Sequence, residues 1–237
     1  MSLGMLYLIP VPLAEEAERK SYTLFQKDVI EEIDEYIVEN EKTARKFLKL
    51  AGLKKPQSSL IMHDFGKHAR EKVDYAALFN TIYKGKDVGL MSEAGCPGVA
   101  DPGAEIVAEA HKRGIKVVPL VGPSSILLAL MASGFNGQKF AFHGYLPIDK
   151  GERSRKIKDL ENQSVKEKLT QIFIETPFRN NALFEEIVRT CKKETRLCVA
   201  SNLTAKEEVV LTKSVADWKN TTIDLHKKPT IFLIYGH

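Results

Sequence analysis

Short apolar runs recur along the chain, each bounded by Gly, Pro, Asn or Asp, and longer stretches between them return an apolar residue every three or four positions. The first pattern predicts buried strands, the second helices with one face on a sheet. Strands are predicted at Leu6–Ile9, Glu35–Val38, Ser59–Met62, Asp87–Met91 and Ile115–Pro119. A second series is predicted at Lys139–Gly144, Thr170–Glu175, Arg196–Ala200, Glu208–Thr212 and Thr230–Tyr235. Helices are predicted over Glu41–Ala51, Glu71–Tyr83, Asp101–Arg113, Ser124–Ala132, Lys150–Glu161 and Asn181–Thr190. Ala104, Val107, Ala108 and His111 are expected to form the sheet-facing stripe of their helix, with Gly114 as its C-terminal cap. Such alternation defines an α/β protein. The first series alternates with helices throughout, whereas the second ends in strands without a long helix between them. The change falls near Pro119–Ser125. It divides the chain into an N-terminal α/β domain, residues 1–119, and a C-terminal one, residues 120–237. With no long linker, the halves are expected to touch and leave a cleft.

Composition narrows the class. The 237 residues amount to about one and a half domains at ~150 residues each. A hydrophobic share of 43% with 28% charged residues excludes disordered and collagen-like chains. No run reaches the roughly 18 apolar residues of a membrane span. The apolar opening Met1–Leu8 lacks a basic start and soon meets Glu15, Glu16 and Glu18, unlike a signal peptide. The net charge of +4 permits a nucleic-acid partner without demanding one. Cys96, Cys191 and Cys198 form no CxxC pair, and the six His residues show no HxxxH or HxH spacing. Neither a disulfide framework nor a metal site is expected, and a cytoplasmic location fits.

Three segments carry candidate chemistry. Ser92–Gly103 packs three glycines and two prolines between a strand and a helix, at the strand end where open α/β sheets bind ligands. Asp101 is placed to cap that helix, with Pro102 at its first position. Val121–Ser125 opens the next helix with two serines, which can bind an anion or simply cap the helix. Phe173–Arg179 is again a strand entering a loop, and Arg179 is either a phosphate contact or ordinary surface.

Together these segments resemble a known family. Leu90–Gly103 is similar to the SDAGTPGISDPG loop of the tetrapyrrole-methylase superfamily, in its ribosomal RNA methyltransferase I branch. Val117–Phe135 resembles the branch's VVPIPGPSA segment, Phe142–Pro147 its FEGFLP, Ile174–Arg179 its YESPHR and Leu6–Leu13 its LYIVATPIG. Order and spacing hold from about residue 5 to residue 235.

The resemblance implies a two-domain α/β methyltransferase that holds S-adenosylmethionine (SAM) in the cleft between its domains and forms a homodimer. By motif, the implied cofactor contacts are Pro12 and Leu13, then Ala94, Gly95, Cys96 and Val99, then Ser124 and Ser125. Thr176, Pro177, Leu203 and Thr230 complete the set.

The chain also departs from the pattern. Ala14 replaces a glycine, Asn40 an aspartate, and Lys42–Thr43 an Arg–His pair, while only His63 remains of SYHEHN. These positions belong to the acceptor side, so the acceptor stays open: ribosomal RNA at a ribose 2′-hydroxyl, a tetrapyrrole or other small molecule, or none in a module that binds SAM without turnover. His63, Glu39 and Asp64 are the candidate bases. Arg45, Lys46, Lys49, Lys54 and Lys55, with Lys150, Arg153, Arg155 and Lys156, form candidate basic rims for RNA.

Overall fold

A computed structural model describes residues 2–66 and 73–236. It divides the chain into two compact units, Met1–Ser124 and Ser125–His237.

The first unit is built on strands β1 (Met5–Ile9), β2 (Glu35–Val38), β3 (Ile61–Asp64), β4 (Val88–Met91) and β5 (Lys116–Pro119). They pair in the order β3-β2-β4-β1-β5, all parallel. A parallel sheet is covered on both faces, so its inner strands β2, β4 and β1 are largely buried, while the edge strands β3 and β5 are only partly so. Helices α1 (Glu18–Ser21), α2 (Leu24–Glu32) and α3 (Glu41–Leu50) precede β3. Helices α4 (Tyr75–Leu78), α5 (Asn80–Tyr83) and α6 (Ala104–Lys112) follow it. Tyr7, Ile9, Tyr36 and Val38 pack with Val29 and Ile30 of α2 and Phe47 and Leu48 of α3. The alternate residues Leu6, Ile37 and Leu90 pack with Phe79, Ile82, Ile106 and Ala110 on the other side. Each fully buried Leu, Ile, Val or Phe side chain among them contributes about 1.5–3 kcal/mol.

The second unit contains α7 (Ser125–Ser133), β6 (Phe140–Tyr145), α8 (Lys150–Glu167), β7 (Thr170–Ile174), α9 (Asn180–Thr190), β8 (Arg196–Ser201), β9 (Val209–Ser214), α10 (Val215–Trp218) and β10 (Thr230–Tyr235). The sheet order is β6-β7-β10-β8-β9. Only β6 and β7 run parallel; β10 is antiparallel to both neighbours, as β8 is to β9. Ile157 and Leu160 of α8, Leu183 and Ile187 of α9 and Trp218 of α10 share one core with Phe173, Val199 and Phe232. Trp218 donates its indole N–H to the Leu197 carbonyl at 2.8 Å, so its polar atom is satisfied in that core.

The structure corrects several expectations. The glycine-loop helix begins at Ala104, not Asp101, because Gly103 stands at the cap position with φ of 115° and, among the described residues, no side chain caps it. The buried stripe of α6 is therefore Ile106 and Ala110, while Ala104, Ala108 and His111 are exposed. The helix expected over Glu71–Tyr83 is two short pieces separated at Phe79, and Glu71 and Lys72 lie outside the described residues. Helix α2 has no counterpart in the sequence reading. Its leading Leu24 and Phe25 are exposed while Gln26 is fully buried, which inverts the pattern a helix normally shows.

Candidate functional site

In the first unit, β4, β1 and β5 are neighbours, so the loops that leave their C-terminal ends lie side by side. Residues 10–14, 92–103 and 120–124 are thereby brought together from three parts of the chain. They are also tied to one another. Val11 and Gly95 exchange two backbone hydrogen bonds, Val11 N–H to the Gly95 carbonyl at 2.9 Å and Gly95 N–H to the Val11 carbonyl at 2.8 Å. The Cys96 thiol lies 3.3 Å from the Pro123 carbonyl as its donor. A Cβ on Gly122 would stand 2.1 Å from the Pro10 ring, so only glycine allows these loops to approach. Gly95 has φ of +74°, and a Cβ there would meet Leu13 at 3.3 Å. The buried Gln26 side chain donates to the Pro10 carbonyl at 2.7 Å and fixes the first loop from beneath.

Pro12, Leu13, Ala94, Gly95 and Cys96 thus occupy one edge of the first sheet. Val99 lies in the same loop, half exposed, its N–H donated to the Cys96 carbonyl. Burial raises the Cys96 pKa, which disfavours the thiolate. A cavity of about 230 Å³ opens beside these loops. Its lining includes Pro12, Leu13 and Ala94, Tyr22 and Phe47 as an aromatic wall, and Lys46.

In the second unit the expected residues also converge. Thr176 and Pro177 follow β7, Leu203 follows β8 and Thr230 begins the antiparallel β10, with Ile174 opposite Ile231 and Ser201 opposite Thr230. Residues distant in sequence therefore share one sheet edge. Thr230 Oγ1 lies 3.1 Å from Ser201 Oγ and 2.9 Å from the Lys228 carbonyl. The buried Glu175 accepts from the Thr176 N–H at 2.6 Å and from Arg179 at 2.7 Å. Arg179 also donates to Thr176 Oγ1 at 3.1 Å. Its role here is to neutralise Glu175 and shape the turn. Ser124 and Ser125 stand where one unit ends and the next begins, Ser125 as the first residue of α7.

The candidate bases differ in placement. His63 Nε2 lies 2.7 Å from Glu35 Oε1, and the other oxygen of that buried carboxylate accepts from Thr81 Oγ1 at 2.5 Å. Glu35 is the first residue of β2, so this bond draws the imidazole toward the sheet edge opposite the glycine loops. Asp64 accepts from the Gly66 N–H at 2.7 Å. Glu39 directly follows the last residue of β2 and stands at the loop edge. Asn40 caps α3, accepting from the N–H groups of Lys42 at 3.0 Å and Thr43 at 3.2 Å. Thr43 in turn donates to Glu93 at 3.2 Å.

The expected basic rims shrink. Arg45 pairs with Glu41 at 2.8 Å and donates to the Gln57 carbonyl, Lys46 pairs with Glu15 at 2.7 Å, and Lys55 with Asp34 at 2.6 Å. Arg153 is nearly buried and pairs with the buried Glu186 at 2.5 Å. Arg155 reaches the Gly151 carbonyl of its own helix at 3.4 Å, a long bond. Glu35, Glu186, Gln26 and Glu175 are the residues that sequence reasoning did not single out. Glu35, Glu186 and Gln26 act on partners far along the chain, whereas Glu175 pairs with Arg179 four positions on.

Among the described residues no His, Cys, Asp and Glu cluster could hold a metal ion, and no helix is long and apolar enough to cross a membrane.

One edge is thus rich in glycine and the other in hydroxyls, both at strand ends of an α/β scaffold. The chain belongs to the tetrapyrrole (corrin/porphyrin) methylases, whose family model matches residues 5–218, and it is a methyltransferase of that SAM-dependent family. It is similar to the ribosomal RNA small subunit methyltransferase I of Vibrio cholerae, at 28% identity over 98% of this chain and 77% of that protein. The Bacillus subtilis protein of the same name is 28% identical over 92% of this chain and 71% of its own length. The crystal structure of the methyltransferase CobJ shares the fold, with a TM-score of 0.62, 17% identity and coverage of 98% of this chain and 94% of that one.

Proposed function

We propose that the protein methylates a ribose 2′-hydroxyl of small-subunit ribosomal RNA. The observation that carries this reading is the similarity to ribosomal RNA small subunit methyltransferases I along nearly the whole chain, both units included.

The residues present suit SAM. The donors expected to hold it, the hydroxyls of Thr176, Ser124 and Ser125 and the backbone around Ala94 and Cys96, are neutral, as a positive sulfonium with a separate carboxylate requires. The strong anion nearest the Thr176–Pro177 turn, Glu175, is already neutralised by Arg179. SAM supplies a methyl carbon activated by positive sulfur. The chain's own task is to align the acceptor oxygen at about 3 Å and to exclude water. Gly95 and Gly122 serve this by letting the loops lock together, and the Gly95 N–H is itself spent on Val11. Glu39, at the loop edge, is the base we assign to the acceptor hydroxyl. His63 is assigned a positioning role through Glu35. We also propose a homodimer: Phe140 and, on α7, Leu127 and Met131 expose apolar surface.

The test is incubation with labelled SAM and small ribosomal subunits from cells that lack the protein, followed by mapping of the methylated nucleotide. Label at a single ribose 2′-position is expected. Label only on a porphyrinoid would overturn the RNA reading. Light scattering should report twice the monomer mass of 26.6 kDa.

A further inference from the structure

We propose that Phe178 is a stacking platform for an unpaired RNA base, held in place by the turn at residues 224–228. This rests on the reading that the acceptor is RNA. Phe178 directly follows Thr176 and Pro177, yet its side chain is not folded away: the residue is 68% exposed. It is nevertheless braced. The His226 ring meets it edge-on, with centroids 5.8 Å apart and planes at 77°. The Lys227 ammonium lies 5.7 Å from its centroid.

The bracing turn is built at a conformational cost. Lys227 has φ of +58°, a left-handed backbone that lysine rarely adopts. The Lys227 N–H donates to the Pro177 carbonyl at 3.0 Å, which locks the turn against the Phe178 loop. Leu225 is buried, and its N–H donates to Asn181 Oδ1 at 2.8 Å. Asp224 accepts from Asn181 Nδ2 and from the His226 N–H, both at 3.0 Å. A strained residue retained by so many contacts points to a functional constraint.

The surroundings choose the occupant. An apolar protein partner would match an apolar rim, but the ring is edged by His226 and Lys227. The carboxylates near it are engaged: Glu175 with Arg179, and Asp224 with Asn181 and its own turn. An open π-face beside cations is the chemistry that holds single-stranded nucleic acid, where stacking takes any base and cations take phosphates.

The experiment is fluorescence anisotropy with a fluorescein-labelled, mixed-sequence single-stranded RNA, and a duplex of the same sequence as control. Phe178→Ala should weaken single-strand binding roughly five- to a hundredfold, move duplex binding far less, and leave SAM affinity by calorimetry unchanged. Phe178→Trp should keep the affinity, and its new emission should be quenched by RNA, whereas that of the buried Trp218 is not. Lys227→Gly, which suits the positive φ, should keep the turn and lose several-fold in affinity. If the parent binds RNA and Phe178→Ala binds it equally well, the platform is overturned while the RNA reading stands. Parallel loss of SAM affinity in Phe178→Ala would make the ring a cofactor contact and also overturn it. A parent that binds neither RNA overturns the RNA reading, and the platform with it.

Discussion

The candidate site edge of the first unit is made by backbone, and that of the second by side chains. In the first, three loops are joined through the Val11–Gly95 hydrogen-bond pair and the Gly122–Pro10 approach. In the second, the turn after β7 is held by Glu175, Arg179 and Thr176, and the start of β10 by Thr230 and Ser201. Backbone architecture demands residues with special conformational freedom, so it leaves glycines and prolines in the sequence. Side-chain architecture uses ordinary polar residues, near in sequence for Glu175, Thr176 and Arg179 and distant for Ser201 and Thr230, so it leaves no special residue type behind.

Substitutions can break this contrast, beginning with the largest effect. Arg153→Ala removes the main cation of the buried Glu186, leaving it the Ser154 hydroxyl and Arg189 at 3.8 Å. It should cost about 3–5 kcal/mol of stability in chemical denaturation. By contrast, Arg155→Ala with Lys156→Ala should leave stability nearly unchanged and lower RNA affinity. The slope of that affinity against salt should flatten by about 0.7–0.9 log units per log unit of salt for each phosphate left without its cation. An Arg153→Ala protein as stable as the parent would show that α8 is not anchored through this pair.

Gly122→Ala places a methyl carbon 2.1 Å from the Pro10 ring. Neither loop can yield without moving its neighbour, and a stability loss of about 1–3 kcal/mol is expected by thermal unfolding. SAM affinity should fall with it. Gly95→Val is the milder probe: it faces a positive φ of 74° and contact with Leu13 at 3.3 Å. The fold should survive while calorimetry shows SAM binding abolished. Unchanged affinity would remove the glycine loop from the site.

The smallest effect is expected at Asn40→Asp. Asn40 caps α3 through its side-chain oxygen, and Asp is an equal cap. Unfolding free energy should change by less than about 0.5 kcal/mol. A larger change would mean that Asn40 is more than a cap.

All ten strands were legible in the chain alone, because short apolar or β-branched runs stand between turns that carry Gly, Pro or Asn, whether the strand is buried like β10 or partly exposed like β9. Even the boundaries are near: Glu35–Val38 and Thr230–Tyr235 match the structure residue for residue. The glycine loop was legible for the same reason. Helix α2 was not, since Gln26 is buried to hold the Pro10 carbonyl, a task that overrides amphipathic periodicity. Nor could the chain show which of its cations are engaged. Arg153 and Arg155 read alike, two positions apart, but the helix turns one toward Glu186 and leaves the other at the surface. Nor does the chain show that β2 sets Glu35 beside His63. Local sequence dictates where the backbone is straight, bent or tightly turned, because those preferences are steric and act within a few residues. Which charges are paired and which groups share an edge depends on strand order and helix rotation, and these are set when the whole core packs.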